Sequence, residues 1–258
     1  MIRGIYTSAA GMSAEMARQE VLANNLANVN TSGFKQDMAV FRTRLDKTVY
    51  RVEAQGGARA GAPAIQKMGD LSSGVYLDEV ATRYGQGNLL QTDEPLDLAL
   101  SGEGFFVVQP ESGEELLSRG GSLKRDAEGF LADDSGRRVL GEGGPIRLAA
   151  KGKVQVDQSG VITQGQAALG KLRLVKVERP DQSVEKRGET AWRLKDPSAV
   201  VGGARPEVLQ GYLEASNVNP VREMVEMITV QRAYEASQRM ISAQDETLGK
   251  AVNDLGRG

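Results

Sequence analysis

The feature that most constrains this chain is a row of apolar side chains spaced by seven residues near its C-terminus. The row covers four heptads and consists of Met227, Tyr234, Ile241, Leu248 and Leu255. A row with this spacing drifts only slowly around a helix, so it forms one apolar seam and leaves the other faces polar. A long helix with a single seam has no core of its own. We therefore expect it to pack against another helix.

The other end of the chain offers such a helix. Residues 3–29 place apolar side chains at helical spacings and contain no proline. Four of their residues again stand seven apart: Ile5, Met12, Gln19 and Leu26. The segment 28–33 ends this helix, because Asn and Gly accept the left-handed conformation that a helix C-cap needs. The two rows are expected to pack together, within one molecule or between copies.

The C-terminal helix is expected to begin at Asn219 and Pro220. Asn suits the N-cap, and Pro suits the first helical position because its missing N–H needs no partner there. Glu223 and Glu226 follow, where negative charge favours a helix N-terminus. The chain is therefore predicted to start and end in a helix.

The region from residue 71 to about residue 209 has a different pattern, with short apolar stretches broken by turns. The stretch 172–177 alternates with a period of two, which predicts a half-buried strand. Asp126, Asp133 and Asp157 are each followed three residues later by Gly, a spacing typical of type I hairpin turns. Residues 34–51 fit a helix or a strand pair, and residues 55–64 read as a Gly/Ala loop.

These patterns predict an α+β fold. Long N- and C-terminal helices form a coiled-coil-like domain, and a mainly antiparallel β domain is inserted between them. The expected boundaries are 1–34 with 211–258 for the terminal helical assembly domain, 35–92 for a connecting region and 93–210 for the β domain.

Composition argues against most chemistry. The 258 residues include no cysteine and no histidine, so the usual thiol nucleophiles, metal ligands and general bases are missing. We predict no catalytic residues, no cofactor and no metal, and Trp192 is expected in a core or an interface. The net charge of −2 predicts no nucleic-acid partner. No stretch reaches the ~18–20 apolar residues of a membrane span, so no membrane insertion is expected.

Five segments carry a resemblance to a known family, the rod and hook proteins that form the axis of the bacterial flagellum. They are residues 22–35 (LANNLANVNTSGFK), 101–108 (SGEGFFVV), 119–123 (RGGSL), 211–219 (GYLEASNVN) and 231–235 (QRAYE). The family-motif residues are Asn24, Asn25, Asn28, Gly33, Phe34, Ser216, Asn217, Asn219 and Arg232. One departure concerns Gly121, where the family's pattern leads us to expect Asp.

The resemblance implies a structural subunit of the basal-body rod and not an enzyme. Such subunits polymerise through their terminal helices into a helical tube that transmits torque, and they contact other rod and hook proteins. They leave the cell through the flagellar type III export apparatus without a cleaved signal peptide. The length fits the two larger rod proteins, proximal or distal, and leaves that choice open. The expected assembly interface consists of Ile5, Met12, Met16, Leu22, Leu26, Met227, Tyr234, Ile241, Leu248 and Leu255.

An alternative reading of the residues is a secreted protein of the cell wall. The β domain would then be an enzyme or a carbohydrate-binding module, and the helices would anchor it. Saturable binding of peptidoglycan fragments at the β domain would favour this alternative.

Overall fold

The computed structural model describes residues 2–53, 64–150, 152–201 and 206–255. The chain divides into two compact units. The helical unit consists of Met1–Ala23, Met38–Ala81 and Val221–Gly258. The β unit consists of Asn24–Asp37 and Thr82–Pro220.

Both predicted terminal helices are confirmed. Helix α1 spans Ile2–Ala27, and helix α3 spans Pro220–Leu255. The amide Nδ2 of Asn28 donates to the carbonyl of Asn24 at 3.0 Å, and the hydroxyl of Thr31 donates to Asn28 Oδ1 at 3.1 Å. The first of these bonds satisfies a carbonyl that the end of a helix leaves open. The helix therefore ends at the predicted segment 28–33, but no Asn in that segment takes the left-handed conformation, which only Gly33 adopts, with a φ of 71°.

Helices α1 and α3 run antiparallel within the helical unit. Three pairs of residues meet along them: Gly4 with Gln244, Gly11 with Ser237 and Arg18 with Glu226. A Cβ added at Gly4 would stand 2.6 Å from Gln244 Nε2, so the absence of a side chain there allows the helices to approach. The contacts on α1 thus follow residues 4, 11 and 18, one position before the predicted row. The coiled-coil repeat stays a prediction.

A two-stranded ribbon completes the helical unit. Strand β1 spans Asp37–Glu53 and pairs with β2, which spans Ala64–Thr82. Residues 34–51 therefore form neither of the two structures that the sequence left open, a helix or a strand pair of their own, because residues 37–51 belong to one long strand. Gly74 lies so close to α1 that an added Cβ would stand 2.6 Å from Ala10 Cβ. The predicted Gly/Ala loop at 55–64 lies outside the described residues, apart from Ala64.

The β unit contains antiparallel sheets, as predicted. Among the described residues the largest sheet has ten strands, with β15-β16-β6-β5-β9-β8-β7 as its main order; β10 pairs with β9, and β14 pairs with β5 and β17. Its strands are β5 (Phe105–Gln109), β6 (Leu116–Ser118), β7 (Leu123–Arg125), β8 (Leu131–Asp133), β9 (Arg138–Gly141), β10 (Gly144–Pro145), β14 (Leu174–Val177), β15 (Val184–Lys186), β16 (Ala191–Leu194) and β17 (Val200–Val201).

Three smaller sheets accompany it. They are formed by β11 (Val154–Val156), β12 (Val161–Gln164) and β13 (Ala167–Lys171), by β4 (Leu98–Ser101) with β18 (Glu207–Gln210), and by β3 (Leu89–Gln91) with β19 (Tyr212–Glu214). The short helix α2 (Pro180–Ser183) and a 3-10 turn (Pro197–Ala199) connect strands of the large sheet.

The three Asp-x-x-Gly turns are confirmed. Gly129, Gly136 and Gly160 have φ values of 92°, 78° and 83°. Each N–H donates to the carbonyl of the Asp three residues earlier, at 2.9–3.1 Å. Each Asp Oδ1 also accepts the N–H four residues onward, at 2.6–2.9 Å. The turns join β7 to β8, β8 to β9 and β11 to β12, so sequence identified three hairpins correctly.

The large sheet has apolar clusters on both faces. In β5, Phe106 and Val108 belong to the larger cluster, whereas Phe105 and Val107 belong to the smaller one. The stretch 172–177 behaves in the same way, because Leu172 and Leu174 join the larger cluster and Val175 and Val177 the smaller one. The prediction of a half-buried strand is confirmed in part: Leu174, Val175 and Lys176 are half-buried, but apolar side chains lie on both faces of the strand and not on one. Its regular strand also begins only at Leu174.

An aromatic group lies in the smaller cluster. Trp192 is fully buried, and its ring centroid lies 5.7 Å from that of Tyr84 and 5.6 Å from that of Phe105, both in edge contact. Such edge contacts add to the stabilisation from buried area. The expected core position of Trp192 is confirmed. Burial raises the pKa of the Tyr84 hydroxyl to about 12.

The raised pKa of Tyr84 is expected to lower the free energy of unfolding at alkaline pH. Between the ordinary tyrosine pKa of 10.0 and about 12, the unfolded state loses the Tyr84 proton while the folded state keeps it. Unfolding is therefore increasingly favoured as pH rises through this window. Urea unfolding at several pH values should show a shallower fall for Tyr84→Phe than for the wild type. Tyr212→Phe, a strand tyrosine outside this cluster, is the control, and equal slopes for wild type and Tyr84→Phe would contradict the prediction.

Candidate functional site

Three charged side chains lie in contact inside the β unit. Glu214 on β19 accepts from Lys35 Nζ at 2.5 Å through Oε1 and from Arg119 Nε at 2.6 Å through Oε2. The three side chains are only 1–4% exposed. Lys35 comes from the N-terminal segment, Arg119 from the loop after β6 and Glu214 from the C-terminal segment. Two chain ends and the middle of the sequence thus meet at one carboxylate.

Backbone groups complete this buried cluster. The guanidinium of Arg119 donates to the carbonyls of Leu100, Gly102 and Gly104, at 3.1 Å and 2.6 Å for the first two. Lys35 Nζ donates to the carbonyl of Gly85 at 2.9 Å. Burying charges is favourable only when such bonds replace water. The cluster holds two cations and one anion, and burial lowers the pKa of Lys35, opposed by the attraction of Glu214.

Two glycines allow the backbone to pass close to the cluster. The N–H of Gly33 donates to the carbonyl of Glu214 at 2.8 Å. A Cβ at Gly33 would stand 2.4 Å from the backbone of Arg119 and Gly120. At Gly87, whose N–H also donates to Glu214 Oε1 at 2.9 Å, a Cβ would stand 1.9 Å from the carbonyl oxygen of Ala215. Neither position accepts a side chain without movement of the backbone.

Asp37 forms a second group of contacts at the start of β1. Its backbone N–H and C=O are both bonded to the side-chain amide of Asn25, at 2.9 Å and 2.8 Å. Its carboxylate accepts from Thr82 Oγ1 at 2.8 Å and from Lys186 Nζ at 2.5 Å. Lys186 Nζ also lies 4.5 Å from the ring centroid of Phe34, a cation–π distance. Asp37 thereby ties the start of β1 to Asn25, Thr82 and Lys186 of the β unit.

Asn217 links the N-terminal and C-terminal segments directly. Its Oδ1 accepts the N–H of Gln36 at 2.7 Å, and its Nδ2 donates to the carbonyls of Arg83 and Gly85 at 2.8 Å and 3.0 Å. One side chain thus satisfies backbone groups of two other segments. We call these contacts together the end junction; its residues are Asn25, Gly33, Phe34, Lys35, Asp37, Arg119, Glu214 and Asn217.

The structure brings together four of the family-motif residues named from sequence. Asn25, Gly33, Phe34 and Asn217 belong to the end junction. Asn28 is buried and caps α1, Ser216 is half-buried, and Asn24, Asn219 and Arg232 are exposed.

Four residues of the end junction were missed as site residues: Lys35, Asp37, Arg119 and Glu214. Lys35, Arg119 and Glu214 stand inside the quoted motifs as single charges among apolar and small residues. Their position within the motifs was the sequence feature that could have marked them as site residues. No sequence feature showed which of these charges pair, because the partners lie as many as 179 residues apart.

The predicted interface residues occupy the helices with different exposure. Leu22 is buried and Met16 is 50% exposed. The half-buried members are Ile5, Met12, Leu26, Met227, Tyr234, Ile241 and Leu248. The side chain of Leu255 lies outside what the structure describes. The assembly interface between copies stays a prediction.

The described residues contain no group of three or more acidic side chains placed to hold a metal ion. They also contain no helix that is long and apolar enough to span a membrane. The charged side chains of the end junction bond to each other and to backbone groups, an arrangement that holds chain segments together.

Comparison with known proteins assigns the regions around the end junction to flagellar families. Residues 5–35 match the model "Flagella basal body rod protein". Residues 99–164 match "Flagellar hook protein FlgE/F/G D1 domain", and residues 209–255 match "Flagellar basal body rod FlgEFG protein C-terminal". Lys35, Arg119 and Glu214 each fall within a different one of these three matches.

Whole-length relatives agree. The flagellar basal-body rod protein FlgG of Buchnera aphidicola subsp. Acyrthosiphon pisum is 32% identical over 97% of this chain and 98% of its own length. FlgF of Caulobacter vibrioides is 33% identical over 96% of both chains. The hook-basal body complex protein FlhO of Bacillus subtilis is 27% identical over the full length of both.

The three family matches and these relatives place the chain among the structural proteins of the flagellar axis. The chain belongs to the flagellar basal-body rod protein family, which confirms the resemblance found in the sequence. Relatives named FlgG and FlgF are about equally similar to it, so the choice between the two larger rod proteins stays open.

Proposed function

We propose that this chain is a rod subunit that polymerises through its terminal helices into a helical tube and transmits torque. The observation that carries the proposal is the incomplete packing of the helical unit, in a chain of the rod family. The terminal segments 1–34 and 211–258 act as the assembly domain, 93–210 as the outer β domain and 35–92 as the connection.

The contact face between α1 and α3 is lean and polar. Gly4, Gly11 and Ser237 supply little apolar area, and burying area is the main source of stability in helix pairs. Two buried oxygens, Glu15 Oε2 and Gln244 Oε1, have no hydrogen-bond partner among the described residues. Unsatisfied buried acceptors are costly, so the helix pair is weakly held on its own, and apolar area covered by neighbouring copies would stabilise it.

Helix α3 also presents apolar side chains to solvent. Val221, Met224, Val225 and Ile228 are 50–70% exposed and stand at helical spacing. Contact positions such as Val230, Ser237 and Gln244 lie on the opposite face of the helix. Several adjacent exposed apolar side chains mark an interaction surface. This supports assembly with further copies and with other rod and hook proteins.

Export and location follow from the same proposal. The subunit leaves the cell through the flagellar type III export apparatus with its N-terminal region uncleaved, and it takes its place in the basal body. The family membership supports this route and this location.

Replacing Ile241 and Leu248 together by Asp should abolish assembly. Both side chains are half-buried on α3, and two carboxylates there would be desolvated in any packed helical tube. A deletion strain producing this variant should not swim in soft agar, and its isolated basal bodies should stop partway along the rod. A normal rod and normal swimming would contradict the proposal.

The matched control is the chain with Gln238→Asp and Ser242→Asp, which adds the same charge at exposed positions of α3. The urea transition of the β unit, followed by Trp192 fluorescence, should be unchanged in the Ile241/Leu248 variant. This measurement separates lost assembly from lost folding.

A further inference from the structure

The β unit contains an open cavity of about 750 Å³. It is lined by Lys35, residues 84–86, residues 102–105, Arg119, residues 176–180 and Val201. A volume of this size is typical of pockets that bind small ligands. The charges of Lys35 and Arg119 are already bonded to Glu214. The rest of the lining therefore decides what the cavity can bind.

Both walls of the cavity are held by hydrogen bonds. On one side, Gln86 Nε2 donates to the carbonyl of Leu100 at 2.9 Å, and Gln86 Oε1 accepts the N–H of Gly102 at 3.2 Å. On the other side, the N–H of Glu178 donates to the carbonyl of Ala199 at 2.9 Å. The cavity is therefore already formed, and little of a ligand's binding energy would be lost to ordering the protein.

Arg179 lies in the second wall and has a strained backbone. Its φ of 49° and ψ of 66° place it in the left-handed region, although it is not a glycine and precedes Pro180. Its carbonyl accepts the N–H groups of Gln182 and Ser183 at 3.0 Å and 3.1 Å, which hold this conformation. Such strain is concentrated at active sites and ligand clamps. Within the described part of the chain, the Arg179 guanidinium has no hydrogen bond or ion pair, so it is available to an anion.

The second cation of this wall, Lys176, already binds a carboxylate of the chain itself. Its Nζ lies 2.9 Å from Glu103 Oε2, and both residues line the cavity. The hydrogen bond from Lys176 lowers the pKa of Glu103. Because the Glu103 side chain is 83% exposed, water screens this ion pair and a carboxylate from a ligand can replace Glu103.

Aromatic side chains line the same cavity. The ring centroids of Tyr84 and Phe105 lie 6.2 Å apart in edge contact. We propose that the cavity binds a carboxylic acid that carries an aromatic or aliphatic group. The carboxylate would bind Arg179 and Lys176, and the apolar group would bury area against Tyr84 and Phe105. A small free acid and the C-terminal residue of a peptide both present this chemistry. Binding of this kind does not depend on polymerisation.

The first test titrates the full-length chain with N-acetyl-L-phenylalanine and follows the amide signals by heteronuclear NMR. Saturable shifts are expected at residues 84–86, 102–105 and 176–180, with a Kd below about 1 mM. The uncharged N-acetyl-L-phenylalanine amide should bind at least about tenfold more weakly. Tighter binding of acetyl-Ala-Ala-Phe than of the single amino acid would identify a peptide C-terminus as the ligand, and equal or weaker binding a free acid. No saturable binding of either acid, or equal binding of acid and amide, would overturn the proposal.

The second test compares variants of opposite expected effect. Arg179→Gln should raise the Kd at least about tenfold, whereas Glu103→Gln should lower it several-fold, because it releases Lys176 from the chain's own carboxylate. Arg147→Gln and Glu111→Gln are the matched controls, since both residues are exposed in the β unit and neither lines the cavity.

The near-ultraviolet circular dichroism of the buried Trp192 checks the fold of each variant. Loss of folding cannot tighten binding, so Glu103→Gln keeps the test decisive even where Arg179→Gln disturbs the strained turn. An unchanged Kd for a folded Arg179→Gln, or weaker binding by Glu103→Gln, would contradict the proposed site.

Discussion

Arg119→Met is expected to destabilise the β unit by about 3–5 kcal/mol, the usual cost of removing one partner from a buried ion pair. The guanidinium of Arg119 donates to the carboxylate of Glu214 and to three backbone carbonyls. Methionine is similar in length but donates nothing. The carbonyl of Leu100 keeps a donor, because Gln86 Nε2 lies 2.9 Å away. The carbonyls of Gly102 and Gly104 lose their bonds to Arg119, and backbone acceptors left without a donor add to the cost.

Lys35→Met should cost much less, about 1–2 kcal/mol, the range for losing ordinary hydrogen bonds. Its removal leaves Arg119 and Glu214 as a balanced pair. The carbonyl of Gly85 also keeps a donor, because Asn217 Nδ2 lies 3.0 Å away. Burial already disfavours the charged form of Lys35, as its lowered pKa indicates. The two cations of one cluster are thus expected to differ clearly in their effect on stability.

The difference is measurable in urea, with Trp192 fluorescence as the probe. Arg125→Met is the control, because Arg125 is exposed on β7. The pH dependence adds a second criterion. Between the lowered pKa of Lys35 in the folded state and its ordinary value of 10.5, the unfolded state binds more protons, so stability gains a contribution that rises with pH. Lys35→Met should remove that contribution. Equal losses for Arg119→Met and Lys35→Met would contradict this account of the cluster.

The parts of the fold that sequence predicted correctly are those governed by local rules. The end of α1 at Asn28, the start of α3 at Pro220 and the three Asp-x-x-Gly turns each depend on residues within a few positions of one another. Hydrogen bonds over so short a span leave a pattern in the sequence. The alternative of a cell-wall enzyme or binding module finds no support in the family to which the chain belongs.

The parts that sequence missed depend on distant partners. The residue that faces Glu214 is 179 positions away in one case and 95 in the other, and nothing local pairs them. Leu172 and Val177 show the same limit. Alternation revealed two faces of a strand there, but only the sheet shows that both faces are covered. Phe34 and Lys35 follow the N-terminal helix closely in the sequence, yet both lie in the interior of the β unit.

Gly121 is the second place where a single change should have a large effect. The family's pattern led us to expect Asp at this position, where the sequence has Gly, and the structure leaves no room for a side chain there. A Cβ at Gly121 would stand 1.6 Å from the carbonyl oxygen of Leu98, well inside van der Waals contact. At the neighbouring Gly120 the nearest atom would be Ser32 O at 3.4 Å, an ordinary contact. A side chain is therefore tolerated at 120 and excluded at 121.

Gly121→Ala is expected to destabilise the β unit by at least about 3 kcal/mol, the upper part of the range for overpacking. Relief of the collision would have to move the start of β4, whose Leu98 N–H donates to the carbonyl of Gly121 at 2.9 Å. Leu98 and Leu100 on that strand belong to the larger apolar cluster, so the displacement would loosen the core as well. Gly120→Ala should stay within about 1 kcal/mol of the wild type. Urea unfolding of both variants tests this prediction. Similar urea midpoints for the two variants would contradict it, because they would mean that the backbone at residue 121 moves aside with little loss of stability.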